Sequence, residues 1–135
     1  DGIILAVGDT RYIVPIYSIV EFLQPRTKDF VSIKNEIAMF SVHGELLPLI
    51  RLDTFFKVRS KYANIEEMTI CVVDSGSGKA CIAVDSILGQ QQVVIKSLGE
   101  KFQDVKGIAG GTILGDGMVG LILDIDGIID KSRGV

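Results

Sequence analysis

Residue types on which enzyme and metal sites depend are scarce in this 135-residue sequence, which contains one histidine and two cysteines. The single histidine, His43, stands without a nearby cysteine or second histidine, so no metal site or catalytic base is predicted there. The sequence shows no Ser-His-Asp set and no arrangement of paired carboxylates. It therefore predicts no catalytic residues, no cofactor and no metal, and favours a protein that acts through its surface.

Positive charge and long apolar runs are also lacking. The net charge is −3, and the lysines and arginines are scattered, so the sequence lacks the basic patch that nucleic-acid binding requires. No apolar run approaches the ~18 residues of a membrane span, and no signal peptide is recognisable. We therefore expect neither nucleic-acid binding nor direct membrane insertion. Because the first residue is Asp1 rather than methionine, the chain is also expected to be a fragment of a longer protein.

The two cysteines, Cys71 and Cys81, both lie in apolar runs with the composition of strands. Such residues are typically buried thiols in a reducing compartment. A disulfide across a hairpin is the alternative.

Glycine-centred turns between short β-rich runs are the main positive feature. Gly115-Asp116-Gly117 separates residues 112–114 from 118–123, and His43-Gly44 separates two further runs. Glycine adopts positive φ at little steric cost, so both turns predict β-hairpins. The same reasoning predicts hairpins over 2–14 and 68–84. Apolar patterning predicts strands at 30–33 and 93–95 and short helical segments at 16–20, 52–57 and 126–131, and residues 85–88 are expected to repeat the helical turn of residues 16–20.

The two halves of the chain show similar patterns. Residues 12–19 lie over residues 80–87 with an offset of 68, and residues 44–53 lie over residues 117–126 with an offset of 73. Many short strands with glycine-rich turns predict an all-β architecture. We therefore expect one domain over 1–135, made of two small five-stranded barrels, roughly 12–57 and 80–131, with strands exchanged at their edges.

Two local motifs resemble ligand-binding loops but lack essential parts. Ser75-Gly76-Ser77-Gly78-Lys79 is followed by Ala80 rather than the Ser or Thr of a phosphate-binding loop, so a hairpin turn is favoured. Asp124-Ile125-Asp126-Gly127 lacks the glutamate at position twelve of an EF-hand, so a capped helix start is favoured.

Three stretches together resemble a known family. They are residues 89–98 (GQQQVVIKSL), residues 107–117 (GIAGGTILGDG) and residues 121–127 (LILDIDG). The chain resembles the CheW-like regulatory domain of the chemotaxis histidine kinase CheA. Residues 12–21 and 47–52 agree with the same family, so the resemblance covers essentially the whole chain. The glutamine run and the Gly-Asp-Gly hairpin favour CheA over the free-standing adaptor CheW.

The resemblance implies two intertwined SH3-like barrels and a non-catalytic scaffold role. It implies binding to the adaptor CheW and coupling to the cytoplasmic tips of chemoreceptors, in a cytoplasmic, membrane-associated signalling array. Kinase chemistry would then belong to other domains of a parent chain. A free-standing CheW-type adaptor is the alternative, and a small-ligand-binding β-barrel is a second one.

Exposed apolar residues at the barrel ends are expected to bind the partner. For the first barrel, the predicted contacts lie around the central hairpin: Phe40, Val42, Leu46, Val31 and Ile33. For the second barrel, the predicted contacts are Ile113, Leu114, Met118 and Val119. Seven further apolar residues are expected either in the core or in a groove between the lobes: Ile16, Tyr17, Ile19, Val20, Val84, Ile87 and Leu88.

Overall fold

Two β-sheets dominate the computed structural model of the chain, which describes residues 1–33, 37–76, 78–93 and 105–132. The class predicted from the sequence, all-β with short helical segments, is confirmed. Within the described residues the strands are β1 (Gly2–Val7), β2 (Thr10–Pro15), β3 (Ile19–Leu23), β4 (Phe30–Ile33), β5 (Ile37–Val42), β6 (Glu45–Arg51), β7 (Thr69–Ser75), β8 (Gly78–Val84), β9 (Ser86–Gln91), β10 (Ile108–Ile113) and β11 (Val119–Leu123).

Short helical segments connect the strands. The α-helices are α1 (Leu52–Phe56) and α2 (Ile125–Ser132), and single 3₁₀ turns lie at Ile16–Ser18, Thr27–Asp29 and Ile65–Glu67. Helix α1 ends at Lys57, which takes a left-handed conformation with φ of 57°. The sequence predicted the first turn and both helices close to these bounds.

The strands form one five-stranded and one six-stranded sheet, in the orders β10-β11-β2-β1-β9 and β3-β7-β8-β6-β5-β4. Each sheet mixes strands from both halves of the chain. β2 pairs in parallel with β11, and β6 pairs in parallel with β8. The sequence predicted five strands in each barrel. One sheet has five strands and the other has six. The division into lobes at 12–57 and 80–131 stays a prediction.

The parallel pairs have the same register in both sheets, as the sequence repeat requires. Ile13 pairs with Ile122 in the first sheet, and Cys81 pairs with Leu49 in the second. Cys81 follows Ile13 by 68 residues and Ile122 follows Leu49 by 73, the two offsets found in the sequence. The repeated pattern therefore corresponds to a repeated strand arrangement.

The largest buried cluster draws on both sheets and both helices. Leu5 and Tyr12 come from the five-stranded sheet, Val73 and Ile82 from the six-stranded sheet, and Ile128 from α2. Tyr12 also stacks on Phe56 of α1 with 4.9 Å between ring centroids. The shared core therefore fixes the two sheets to each other.

The expected helical turn at 85–88 is wrong. Residues 86–88 begin β9, whose Ile87 pairs with Leu5 of β1. The expectation came from the repeat, because residues 16–19 form a helical turn and align with residues 84–87. The strand expected at 93–95 is not found at Val93, since β9 ends at Gln91, and its other two residues lie outside the described part of the chain.

The cysteines are free and buried, as expected, and the alternative of a disulfide is wrong. Cys71 pairs with Ile82 and Cys81 with Val72, so the two thiols lie on opposite faces of neighbouring strands. Cys71 packs in the shared core, and Cys81 packs in a second cluster within the six-stranded sheet. Burial raises the pKa of both thiols to about 12, so they stay protonated at neutral pH.

Candidate partner-binding surface

The hairpin of β10 and β11 presents exposed apolar side chains at its tip. Ile113 pairs with Val119, so both side chains lie on one face, and they are 62% and 50% exposed. Met118, in the connecting loop, is also exposed. The three residues Ile113, Met118 and Val119 are called the hairpin-tip patch below. Because β10 is an edge strand of its sheet, the patch is accessible to another chain.

Leu114 does not belong to this patch, which corrects the sequence prediction. Its side chain is buried against Ile13 and Ile122, on the other side of the sheet from the shared core. Its N–H donates to the Met118 carbonyl at 2.8 Å, and the Met118 N–H donates to Asp116 Oδ1 at 3.0 Å. These bonds close the loop and hold the hairpin-tip patch in place.

The hairpin of β5 and β6 separates its predicted site residues onto two faces. The turn residues His43 and Gly44 both have positive φ, 50° and 85°, as in a two-residue type I′ turn. This turn pairs Phe40 with Leu47 and Ser41 with Leu46. Phe40 and Leu47 therefore point into the core, while Ser41 and Leu46 point outward.

Phe40 and Val42 are corrected from docking residues to core residues. Phe40 is 1% exposed and contacts Phe30 edge-to-face at 4.9 Å between centroids. Val42 is buried in the same cluster. A partner cannot reach either side chain while the sheet is intact, so a charged substitution at Phe40 would test folding rather than binding.

Leu46 and Val31 are exposed on the outer face of the six-stranded sheet. Val31 pairs with Met39, which lies two residues from Ser41, the partner of Leu46. Because side chains alternate along a strand, Val31, Met39 and Leu46 share one face, called the outer-face patch below. Ile33 lies in β4, and its side chain lies outside the described part of the chain.

Further exposed apolar residues lie at the edge strands β3 and β9. From the sequence, seven apolar residues are expected either in the core or in a groove. Of these, Val84 is buried and Ile19 is partly buried. The other five are exposed: Ile16, Tyr17, Val20, Ile87 and Leu88. β3 and β9 are the edges of their respective sheets. These residues could not be separated by sequence alone, since both alternatives predict apolar side chains.

A buried carboxylate that the sequence did not predict as important lies beside β9. Asp85 is 4% exposed and accepts hydrogen bonds from the Gly8 N–H and the Lys61 N–H, both at 2.7 Å. The Ser60 hydroxyl donates to its other oxygen. Asp85 therefore joins three separate chain segments. A lone aspartate between apolar residues was the only sequence signal for this role.

His43 lies at the surface, where its side chain contacts a carboxylate. Its Nε2 lies 3.0 Å from Glu21 Oε2, which joins the β5–β6 turn to edge strand β3. In the part of the chain that the structure describes, no three His, Cys, Asp or Glu residues could hold a metal ion. No helix there is both long enough and apolar enough to cross a membrane.

The chain is similar to several known proteins. A family model described as a CheW-like domain matches residues 1–133. Over 135 residues the chain is 40% identical to chemotaxis protein CheA of Rhizobium meliloti, covering 99% of this chain and 18% of that protein. It is 34% identical over 133 residues to CheA of Salmonella typhimurium, covering 98% of this chain and 20% of that one. The chain thus spans about a fifth of the length of these relatives.

A solved structure has a similar fold. The scaffolding protein TtCheW from Thermoanaerobacter tengcongensis superposes with a TM-score of 0.75 at 16% identity, covering 91% of this chain and 87% of that one. At this level of identity the similarity establishes the fold alone.

Proposed function

Because the chain belongs to the CheW-like domain family, we propose that it is a non-catalytic scaffold domain that binds a CheW-type adaptor. The observation that carries this proposal is the hairpin-tip patch, in which Ile113 and Val119 stand side by side and largely exposed at an edge of the five-stranded sheet. Exposed apolar clusters of this kind mark protein-binding surfaces. The family assignment supplies the class of partner.

Association at the hairpin-tip patch has a limited energy. Burying each of its three side chains contributes ~1.5–3 kcal/mol before association costs. A micromolar complex requires ~8 kcal/mol net of those costs, so the patch alone does not suffice. We therefore assign the hairpin-tip patch as the anchor of the interface. Val31 and Leu46, in the outer-face patch, are a second surface through which the domain contacts another partner.

Two separate apolar surfaces suit a domain that links partners into an array. The hairpin-tip patch lies on the five-stranded sheet, and the outer-face patch lies on the six-stranded sheet. A domain with one surface on each sheet can bridge two partners at the same time. We propose that it thereby couples chemoreceptor tips to a CheA-type kinase, in the membrane-associated arrays that the resemblance implies.

The experiment is a calorimetric titration of the chain with a purified CheW adaptor from the same genome. We expect saturable micromolar binding by the wild-type chain and at least about tenfold weaker binding by Ile113→Asp. Thr112→Asp, a half-buried neighbour on the opposite face, serves as the control for added charge. Equal affinity of Ile113→Asp and wild type would reject the anchor, and absence of any binding would reject the partner.

A free-standing adaptor is the second candidate function. The chain superposes on most of the scaffolding protein TtCheW, with 87% of that chain covered. The two candidates differ in the gene, because a kinase fragment has an ATP-binding domain encoded in the same reading frame. Sequencing upstream of the codon for Asp1 decides between them.

A further inference from the structure

A cleft of about 400 Å³ lies between the β1–β2 turn, residues 59–61 and the start of β9. Asp85 forms its floor and fixes its walls. The carboxylate accepts from the Gly8 N–H on one wall, and from the Lys61 N–H and the Ser60 hydroxyl on the other. The cleft is therefore built by a buried hydrogen-bond network rather than by the packing of mobile side chains.

The wall at the β1–β2 turn is in close contact with residue 59. Gly8 has φ of +58°, and a Cβ atom there would lie 2.1 Å from the Arg59 carbonyl oxygen. Only glycine fits this position, because any side chain would push the two walls apart. The shape of the cleft thus depends on the sequence at both walls.

Three cationic side chains line the cleft. Arg11, Arg59 and Lys61 line it, and none of them forms an ion pair among the described residues. The Nε of Arg11 is buried and has no hydrogen-bond partner within the described part of the chain. A buried donor without an acceptor is costly, so a ligand whose acceptor reaches this nitrogen when the Arg11 side chain moves gains that free energy on binding. The carboxylate of Asp85 already serves three other donors.

We propose that this cleft binds a carboxylate on a partner polypeptide, with the Arg11 guanidinium as its main hydrogen-bond donor. Three cations and two carboxylates, Asp9 and Asp85, line the cleft, which leaves an excess of one positive charge. A carboxylate neutralises that excess, whereas a phosphate dianion would leave a net negative charge. Guanidinium groups also match the planar geometry of carboxylates.

An exposed apolar residue indicates that the carboxylate belongs to a polypeptide. Leu88 lines the same cleft and is exposed on edge strand β9. A glutamate or aspartate followed by an apolar residue would place its carboxylate on Arg11 and its neighbour on Leu88. This proposal concerns the chemistry of the bound carboxylate and holds whichever protein carries it.

The cleft and the hairpin-tip patch lie at the same end of the five-stranded sheet. Arg11 pairs with Gly120, the residue after Val119, in the parallel pair of β2 and β11. Side chains alternate along a strand, so Arg11 lies on the face of Gly120 and Val119 on the opposite face, and a partner must reach around this end of the sheet to contact both surfaces. Such a contact would add to the apolar anchor the free energy that the anchor lacks.

The test is an NMR titration of the wild-type chain with two dipeptides, acetyl-Glu-Leu-amide and acetyl-Gln-Leu-amide, at pH 7 and constant ionic strength. The Nε–Hε signal of Arg11 is the reporter. We expect a saturable shift with the Glu dipeptide and binding about tenfold weaker, or more, with the Gln dipeptide. Acetate is expected to bind more weakly than the Glu dipeptide because it lacks the leucine.

Arg11→Gln and Arg59→Gln are the test variants, and Lys28→Gln is the control that removes one exposed positive charge from the other sheet. With amide signals of the cleft residues as the reporter, the Lys28 variant is expected to keep the wild-type affinity and both test variants to lose it. Equal binding of the two dipeptides, or wild-type affinity in both arginine variants, would overturn the site. Tighter binding of inorganic phosphate than of the Glu dipeptide would overturn the carboxylate assignment. Adaptor affinity is measured separately, so the two proposals fail independently.

Discussion

Ile113 and Val119 face each other directly across the β10–β11 hairpin, and both side chains are largely exposed. Apolar cross-strand pairs usually stabilise a sheet by covering its core. More than half of Ile113 and half of Val119 stay exposed in the described part of the chain, so this area is available to a partner. Binding and stability can be tested in separate variants, because the residues expected to bind a partner are exposed and those expected to stabilise the fold are buried.

Val119→Asp is expected to weaken adaptor binding at least about tenfold while leaving the fold intact, because it places a charge in the apolar anchor. Val20→Asp is a matched control. Both residues are valines on strands, with exposures of 50% and 48%, but Val20 lies on edge strand β3 of the other sheet. Calorimetric titration with the CheW adaptor measures both. Equal losses in the two variants would show that the effect is not specific to the hairpin-tip patch.

Phe40→Ala is expected to lower the free energy of unfolding by about 3–5 kcal/mol, since it removes a buried ring in contact with Phe30. Leu46→Ala, on the exposed face of the same hairpin, is expected to cost less than about 1 kcal/mol. Urea denaturation followed by circular dichroism measures both values. If the two variants were equally stable, the assignment of Phe40 to the core would be incorrect.

Asp85→Ala is expected to destabilise the chain by about 3 kcal/mol, because it leaves the Gly8 and Lys61 amides and the Ser60 hydroxyl without their acceptor. Hydrogen exchange at the Gly8 and Lys61 amides is expected to accelerate strongly. Asp9→Ala removes an exposed carboxylate from the same turn and is expected to leave both exchange rates unchanged. Slow exchange in the Asp85 variant would contradict the proposed network.

Stability is expected to fall at alkaline pH. Burial raises the pKa of the Cys71 and Cys81 thiols, and of the Tyr12 hydroxyl, to about 12. Unfolded thiols titrate near ~8.5, so above that pH the folded chain holds more protons than the unfolded chain. The free energy of unfolding then decreases with rising pH, by up to ~1.4 kcal/mol per pH unit for each thiol.

Urea denaturation between pH 8 and pH 10.5 measures this slope. The double variant Cys71→Ala, Cys81→Ala is expected to be less stable at pH 8 but to show a flatter dependence. In the native wild-type chain at pH 8, a thiol reagent is expected to label neither cysteine. Rapid native labelling, or an unchanged slope in the double variant, would contradict burial of the thiols.

The fold was largely predictable because its local signals agree with each other. Turn residues such as His43-Gly44 and Gly115-Asp116-Gly117 set hairpins where the sequence predicted them. The repeat offsets of 68 and 73 correspond to the register of the parallel strand pairs. The sequence could not show that residues 86–91 form a strand, because that strand is specified by pairing with the distant β1.

The candidate surface was less predictable, since apolar composition does not distinguish a core from a docking face. Strand alternation across the two-residue turn separates Phe40 and Val42 from Leu46, and applying it to the sequence would have found this. The five-residue connection between β10 and β11 hid the inward position of Leu114. The cleft at Asp85 joins residues 8, 60, 61 and 85, whose proximity only the tertiary structure reveals.

Methyl NMR of the chain during titration with the CheW adaptor is the decisive measurement for the hairpin-tip patch, because it reports on all methyl-bearing side chains at once. The account predicts that the methyl signals of Ile113, Met118 and Val119 shift or broaden in proportion to bound adaptor, while those of buried Ile128 and Ile129 stay unchanged. Binding that leaves the three hairpin-tip signals in place would contradict it.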